Sequence, residues 1–469
     1  MFVTTEPLRW LGAALIVCLW AGWCAWVLRR AARRPELAPA EGDADGSFLL
    51  LFASQTGAAA AIAEYTADRL RAAGRLAGIE RLGSVSPAQL AGVRRALFIV
   101  STCGEGDPPD DAYAFVRAMQ APEARLDGLE FSLLALGDRS YRSFCAFGQR
   151  LDDWLRDRGA RPIAGRIEVD AGDPAALQRW SELVGGLAGQ SAGDPIALPG
   201  AAPAEPWRLT ARSTMNPGSS GEPILNLRFE PADGQALAPD AWQAGDLVRL
   251  QIPGDPPETR DYSIASLPSE GAVELFVRLR RDTAGRPGRA SGWLAGVQSP
   301  EPLQPGDCVM LGFLANSGFR LQGPPGQALI LIGAGSGFAG LRALLKARAE
   351  TPGAGPVWLV FGERSAEHDF LRRAELERWH SEGVLARLDA VFSRDASADT
   401  DGGSRRYVQH LLREQAQQVR QWIGDGAAVH VCGSRQRLAV GVDAALAEIL
   451  GEAEFDRLRA SNRYRRDIW

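Results

Sequence analysis

Three short apolar runs in the first half of the chain, FLLLFA, ALFIV and FSLLAL, are each followed by a polar or glycine-rich turn. Stretches of helical pattern then follow, at 58–73, 111–120 and 144–158. Continuous apolar runs bounded by turns read as strands buried on both faces, and the intervening helices supply the crossovers a parallel sheet needs. Residues 47–190 are thereby constrained to an open parallel α/β sheet. In such a sheet ligands bind beyond the carboxyl ends of the strands, where strand order reverses. The turns SQTGAA (54–59), STCGEGD (101–107) and LGDRSY (136–141) therefore converge on one crevice.

The pattern changes twice more. Residues 206–323 hold short strands separated by turns (ILNLRFE, DLVRLQI, VELFVRLRR), which read as a small antiparallel β-barrel. From 324 to 469 the α/β rhythm returns, with ALILIG, VWLVFG and AVHVCG as buried strands. Ahead of all three, Trp10 to Leu28 carries no charge and would form a helix of about 30 Å, the thickness of a bilayer's hydrocarbon core. Trp10, Trp23 and Trp26 suit its two interfaces. Arg29, Arg30, Arg33 and Arg34 follow directly, so residues 1–34 are expected to be a single-pass anchor in the inner (cell) membrane with the rest of the chain cytoplasmic. A cleaved signal peptide would carry its positive charge in front of the apolar run. The stretches 35–46 and 191–205, rich in Pro, Ala and Gly, read as a tether and a linker.

A net charge of −5 from 52 basic and 57 acidic residues leaves no basic stripe for a phosphate backbone, so nucleic acid is not expected as a partner. The six cysteines show no CxxC pair and the four histidines no ligand-like spacing, so no metal site is expected in the chain itself.

The first turn offers the hydroxyls of Ser54 and Thr56 and the free N–H groups of a helix start, without a lysine. That combination suits a terminal phosphate monoester, whereas a nucleotide P-loop would place GK[ST] there. Around the three turns lie Glu105, Asp107, Asp110, Asp111 and Asp138, either a solvated rim or an acidic docking face for a basic partner. In the barrel, TRDYSIAS (259–266) places Arg260, Tyr262 and Ser263 on a strand, and PGRASGWL (287–294) opens a helix with small residues. An arginine fork facing such a start suits a pyrophosphate. In the last unit GAGSGFAG brings Gly333, Gly335, Ser336 and Gly337 to a turn where backbone can approach another pyrophosphate. Arg364, Ser393, Arg394, Arg405, Arg406, Tyr407 and Gln409 follow. Positive charge with hydroxyls suits the 2′-phosphate of NADP, where an NAD site would present a carboxylate to the ribose.

STCGEGDPPDDA and LALGDRSYRSFC resemble the flavodoxin-like FMN domain of NADPH-dependent diflavin reductases, most of all the flavoprotein subunit of sulfite reductase. The later segments resemble the FAD-binding barrel and the ferredoxin-reductase-type NADP-binding domain of the same family, down to VCG at 431–433 and the terminal DIW. The resemblance implies that Ser54, Gln55, Thr56, Gly57 and Ala58 hold the FMN phosphate. By the same token Ser101, Thr102, Cys103, Gly104, Glu105, Gly106, Leu136, Gly137, Asp138, Phe144 and Cys145 border the FMN ring, with Tyr141 stacked on it. It places Arg260, Gly288, Arg289, Ala290 and Ser291 on the FAD pyrophosphate and Tyr262 against the isoalloxazine. Ser263, Cys432 and Asp467 would line the reaction centre, and Trp469 would cover the FAD ring where the nicotinamide must go.

Three departures stand out. Cys103 replaces a second aromatic of the microsomal enzymes, Gly340 stands where proline is usual, and GDLVRLQIPGDPPETRDYS passes from strand to strand without the large connecting insertion. The function implied is a relay from NADPH to FAD to FMN to a one-electron acceptor. A membrane or membrane-proximal hemoprotein is the first expectation for that acceptor. The alternatives are a sulfite reductase flavoprotein (alpha) subunit, a ferric-iron reductase, or a flavin-binding membrane sensor without turnover.

Overall fold

The computed structural model describes residues 47–55, 57–103, 106–120, 125–139, 143–190, 196, 204–254, 258–297, 301–395 and 405–469. The expected membrane span, the tether and most of the linker lie outside the described residues, as do Thr56, Gly104, Glu105 and Tyr141 of the expected FMN site. Among the described residues no helix is long and apolar enough to cross a membrane.

Three sheets organise the chain. The first contains β1 (Ser47–Ala53), β2 (Leu76–Arg81), β3 (Arg95–Ser101), β4 (Glu130–Gly137), β5 (Arg161–Pro162) and β6 (Ile167–Asp170), in the order β2-β1-β3-β4, with β5 and β6 both on β4. The central strands are the three apolar runs, and β1 with β3, β3 with β4 and β4 with β6 all pair in parallel. Ser101 pairs opposite Leu136, so the turns after β3 and β4 emerge side by side. The outer strands escape a search for apolar runs because, at an edge, LAGIER keeps only partly buried or exposed residues. Helices Ala58–Ala72 and Pro174–Ala188 cover one face, where Trp180 is fully buried and its indole N–H donates to Thr66 Oγ1 at 3.0 Å.

The second sheet is antiparallel: β7 (Glu205–Thr214), β8 (Ile224–Pro231), β9 (Leu247–Ile252), β10 (Glu258–Ser263), β11 (Val273–Arg278) and β12 (Cys308–Leu314), in the order β10-β9-β12-β7-β8-β11. A bridge between Ile264 and Leu275 joins its two ends into a barrel. Its first strand begins at Glu205, one residue inside the stretch read as linker. Trp207, Trp242 and Phe313 pack edge-to-face and stacked in its core.

The third sheet is parallel, with β13 (Leu329–Ala334), β14 (Val357–Glu363), β15 (Arg387–Phe392), β16 (Ala428–Gly433) and β17 (Tyr464–Ile468) in the order β15-β14-β13-β16-β17. The C-terminal tail thus forms an edge strand, which its mixed sequence YRRDI does not announce. Barrel and third sheet share one apolar core, in which Ile224, Leu267 and Phe276 meet Phe338, Leu341 and Phe361. Within it Arg342 donates to Glu274 at 2.8 Å, to Glu375 at 2.8 and 2.9 Å, and to the Ala265 carbonyl at 2.9 Å.

Candidate functional site

At the ends of β1, β3 and β4 the backbone is shaped for close approach. Gly57 lies in the left-handed region at φ 88°, and Ser54 Oγ accepts from the Ala59 N–H at 3.2 Å, closing the first turn. In the second turn Cys103 and Asp107 exchange backbone hydrogen bonds of 2.8 and 2.9 Å, and a side chain on Gly106 would fall 2.8 Å from Ser143 Cβ. In the third, a Cβ on Gly137 would meet Cys145 Sγ at 2.8 Å. Cys145 is buried in a left-handed conformation and its thiol donates to the Ala135 carbonyl at 3.3 Å. Burial pushes that thiol up to about 12, so Cys145 shapes the turn and stays inert. Thr102 Oγ1 accepts from the Phe147 N–H at 3.3 Å, and the Phe144 ring lies 4.3 Å from the Arg139 guanidinium carbon. Two of the acidic residues are engaged within the chain: Asp111 accepts from the Ser54 N–H, and Asp107 pairs with Arg435 of the third unit.

The barrel cavity, about 480 Å³, is lined by Arg260, Tyr262, Ser263, Gly288, Arg289, Ala290, Ser291 and Trp469, the whole set expected there. Ser291 Oγ accepts from the Arg280 N–H at 3.0 Å, and a Cβ on Gly288 would come within 3.1 Å of that oxygen. Glu258, which the sequence reading passed over, pairs with Arg260 and lies 3.5 Å from Arg289. An anion entering here must take these arginines from Glu258.

Beneath this cavity three buried side chains meet. Ser263 Oγ donates to Asp467 Oδ2 at 2.6 Å, and Cys432 Sγ lies 3.6 Å from the same oxygen. The β16–β17 register sets Cys432 opposite Asp467, so the edge strand delivers the carboxylate. Burial raises Asp467 to about 6, against the lowering effect of its two hydrogen bonds. Burial, then the Asp467 charge, lifts Cys432 well above the usual thiol range and keeps it protonated. Gly340 sits over this group, where a Cβ would lie 3.2 Å from Cys432 Sγ and 3.2 Å from the Phe319 ring. The glycine allows the helix Phe338–Ala349 to approach the site closely.

A third space, about 530 Å³, is lined by Gly335, Ser336, Arg364, Ser393, Arg394, Arg405, Arg406, Tyr407 and Gln409 of the expected NADP set. Gly333, Gly337 and Cys432 do not line it. Instead, a Cβ on Gly337 would fall 2.2 Å from the Cys432 carbonyl oxygen, so Gly337 permits contact between turn and β16. The sequence reading missed Arg278, Arg280, Glu363 and Arg437 on its walls. A signal existed for two of them, because Arg278 and Arg280 share strand parity at the end of VELFVRLRR.

Trp469 borders these two cavities and a further one, about 660 Å³, between Gln55, Cys103 and Asp107 of the first unit and Arg435, Ile468 and Trp469 of the last. Gln55 also borders the barrel cavity. The tryptophan is 39% exposed, so it is not buried in a crevice. Its N–H donates to the Gly433 carbonyl at 3.3 Å and its carbonyl accepts from the Arg435 N–H at 3.1 Å.

Comparison with known proteins agrees with this architecture. The Flavodoxin family matches residues 50–180, and the Oxidoreductase NAD-binding domain family matches 331–443. The sulfite reductase [NADPH] flavoprotein alpha-component of Thiocapsa roseopersicina is 30% identical over 91% of this chain and 88% of its own length. That of Bacillus subtilis is 27% identical over 90% and 89%, and that of Salmonella paratyphi A 28% over 100% and 96%. The chain belongs to the NADPH-dependent diflavin reductase family, which includes the sulfite reductase flavoproteins. It is a flavoprotein oxidoreductase whose cofactors are FMN, FAD and NADPH. The alignment to the Bacillus subtilis relative runs over 542 positions, more than the 469 residues of this chain, so that relative carries segments with no counterpart here. These relatives bear the name of the alternative reading of the sequence, the sulfite reductase flavoprotein, and not of the hemoprotein reductase expected first.

Proposed function

We infer that this chain is the NADPH-oxidising component of a two-component reductase of the sulfite reductase type, and that it delivers electrons singly to a separate heme-bearing component. One observation carries the reading: Trp469 and Arg280 border all three cavities and Gln55 borders two, so the sites of a relay adjoin within one chain. When bound, FAD takes the two electrons of NADPH together and FMN releases them one at a time.

The chain's residues hold and orient. Ser54 and the turn through Gly57 would hold the FMN phosphate, with Cys103, Gly137 and Phe144 beside the ring. Arg260 and the Gly288–Ser291 segment would hold the FAD pyrophosphate. Arg394, Arg405, Ser393 and Tyr407 would hold the 2′-phosphate of NADPH. The Ser263 proton fixes Asp467, whose carboxylate, ionised above pH 6, favours the positive charge that develops on the nicotinamide. Trp469, on the lining of the barrel cavity, would cover the FAD ring there and would have to swing aside to admit the nicotinamide, which would make it a gate for turnover.

The test is to express residues 35–469, quantify the released flavins, and follow NADPH-driven reduction of a heme acceptor. Equal FMN and FAD, activity lost on Asp467→Ala, and co-purification with a siroheme-bearing component support the reading. A single kind of flavin, or none after reconstitution, sinks it. A second reading, an inner-membrane hemoprotein reductase with cytoplasmic catalytic units, rests on the uncharged run Trp10–Leu28. Extraction of the full chain from membranes by carbonate alone would count against that anchor.

A further inference from the structure

Arginines from two units meet where the three cavities join. Arg278, at the end of β11, crosses from the barrel to pair with Glu363 at the end of β14, and its buried Nη1 has no hydrogen-bond partner among the described residues. This pair lies directly beneath the glycine turn, since a Cβ on Gly335 would fall 2.5 Å from Arg278 Nη2 and 2.9 Å from Glu363 Oε1. Arg280 follows two residues on, and Arg437 comes from the π-helical turn Arg435–Ala439 after β16. Both border the cavity that holds Arg394 and Arg405. Among the described residues neither guanidinium has a carboxylate or any other hydrogen-bonding partner, whereas Arg278 and Arg406 on the same cavity are paired with Glu363 and Glu414. Loss of solvent, then the charges of Arg437 and Arg278, hold Arg280 below the usual arginine range. Positive charge is therefore gathered at one point and left unbalanced, an arrangement that an anion resolves.

The position identifies the anion. The parallel order β15-β14-β13-β16-β17 puts Arg394, which follows β15, at one edge and Trp469, which follows β17, at the other, with Gly335 and Ser336 after the central β13 between them, and all of these residues line the cavity. A dinucleotide with its 2′-phosphate at Arg394 and its nicotinamide at Trp469 must lay its pyrophosphate across the middle, between the glycine turn and Arg280 with Arg437.

We propose that Arg280 and Arg437, from the barrel and from the turn after β16, together form the clamp for the NADPH pyrophosphate opposite the glycine turn. The assignment rests on the reading of this cavity as the NADPH site. The barrel thus contributes to NADPH binding as well as to FAD, and the clamp closes only when both units are in register. Arg280 and Arg437 are positioning residues, acting on the part of the substrate that does not react.

The test uses the flavin-loaded protein and two probes, NADP⁺ and 2′-AMP, by titration calorimetry. The two share the 2′-phosphate and adenosine, but only NADP⁺ has the pyrophosphate. Arg280→Gln and Arg437→Gln should each weaken NADP⁺ about tenfold, the scale of one lost charge-assisted contact, and leave 2′-AMP unchanged. Arg394→Gln should weaken both. Arg280→Lys, which keeps the charge and loses the fork, should fall between wild type and Gln, and covers the case in which a Gln variant fails to fold. Undiminished NADP⁺ affinity in Arg280→Gln and Arg437→Gln, or equal weakening of both probes, overturns the clamp while leaving the NADPH site standing. Loss of FAD with NADP⁺ affinity retained would assign Arg280 to the flavin and also overturns it. Failure of the wild type to bind either probe removes the NADPH reading itself.

Discussion

Asp467 is the residue at which burial and chemistry pull against each other. Its folded-state pKa of about 6 lies above the ordinary 3.8, so the ionised form is disfavoured by the fold. The penalty is absent below the unfolded value, grows as pH rises through the folded one, and is fully present above about pH 7. A shift of this size corresponds to roughly 3 kcal/mol as an upper figure. Asp467→Asn should therefore raise thermal stability at pH 8 and show no gain at pH 3.5, as checked by thermal unfolding at the two values. Catalysis runs the other way: NADPH oxidation should fall as pH drops through about 6, and in Asp467→Asn it should be low and flat across that window. A flat wild-type profile between pH 5 and 8 would remove the charge from the mechanism. His430 makes an instructive contrast. It is fully buried against Phe319, and burial holds it down at about 3. It stays neutral throughout the same window and takes no part in that profile.

Among the elements, the turn between β13 and the helix Phe338–Ala349 is the most sensitive to size. Its glycines were legible as a place for close approach, but what approaches was not. Gly337 meets the backbone of β16, and Gly340 meets the Cys432 sulfur and the Phe319 ring. Backbone cannot yield as a side chain can. Gly337→Ala should destabilise by about 2–4 kcal/mol, whereas Gly340→Ala should cost about 1 kcal/mol or less. Chemical denaturation of the two variants side by side gives the ranking, and equal costs would refute the backbone contact. The edge strand β17 carries the complementary lesson. The sequence reading named Asp467 and Trp469 from the resemblance of DIW, yet YRRDI has no strand-like alternation, so its pairing with β16 was not foreseen. Pairing decides the chemistry here, because it alone sets Asp467 opposite Cys432.

At the scale of the whole molecule, two kinds of junction differ in strength. Barrel and third sheet share a continuous core with Arg342 bonded to Glu274 and Glu375, and truncating a buried group of that kind costs about 3–5 kcal/mol. The flavodoxin unit instead meets the third unit through Asp107 with Arg435, Arg117 with Asp456 and Glu452, and Arg459 set 3.7 Å over the Tyr113 ring. Several of these groups are well exposed, where an ion pair is worth about 0–1 kcal/mol and is screened by salt. Salt near 0.5 M should therefore part the flavodoxin unit from the rest without unfolding either, seen as a larger radius in small-angle scattering with unchanged circular dichroism. Asp107→Asn should bring that change to lower salt, and a radius insensitive to both would mean a rigid junction.

The apolar runs, the glycine turns and the hydroxyl-and-arginine clusters are local properties. The sequence by itself therefore determined the parallel and barrel architectures, the family, and part of the residues that line the barrel cavity and the one beside it. Tertiary structure alone decided which charges face one another across elements, such as Asp107 with Arg435 and Arg280 with Arg437. Such meetings depend on how separate sheets pack, and no spacing along the chain encodes a contact between elements hundreds of residues apart.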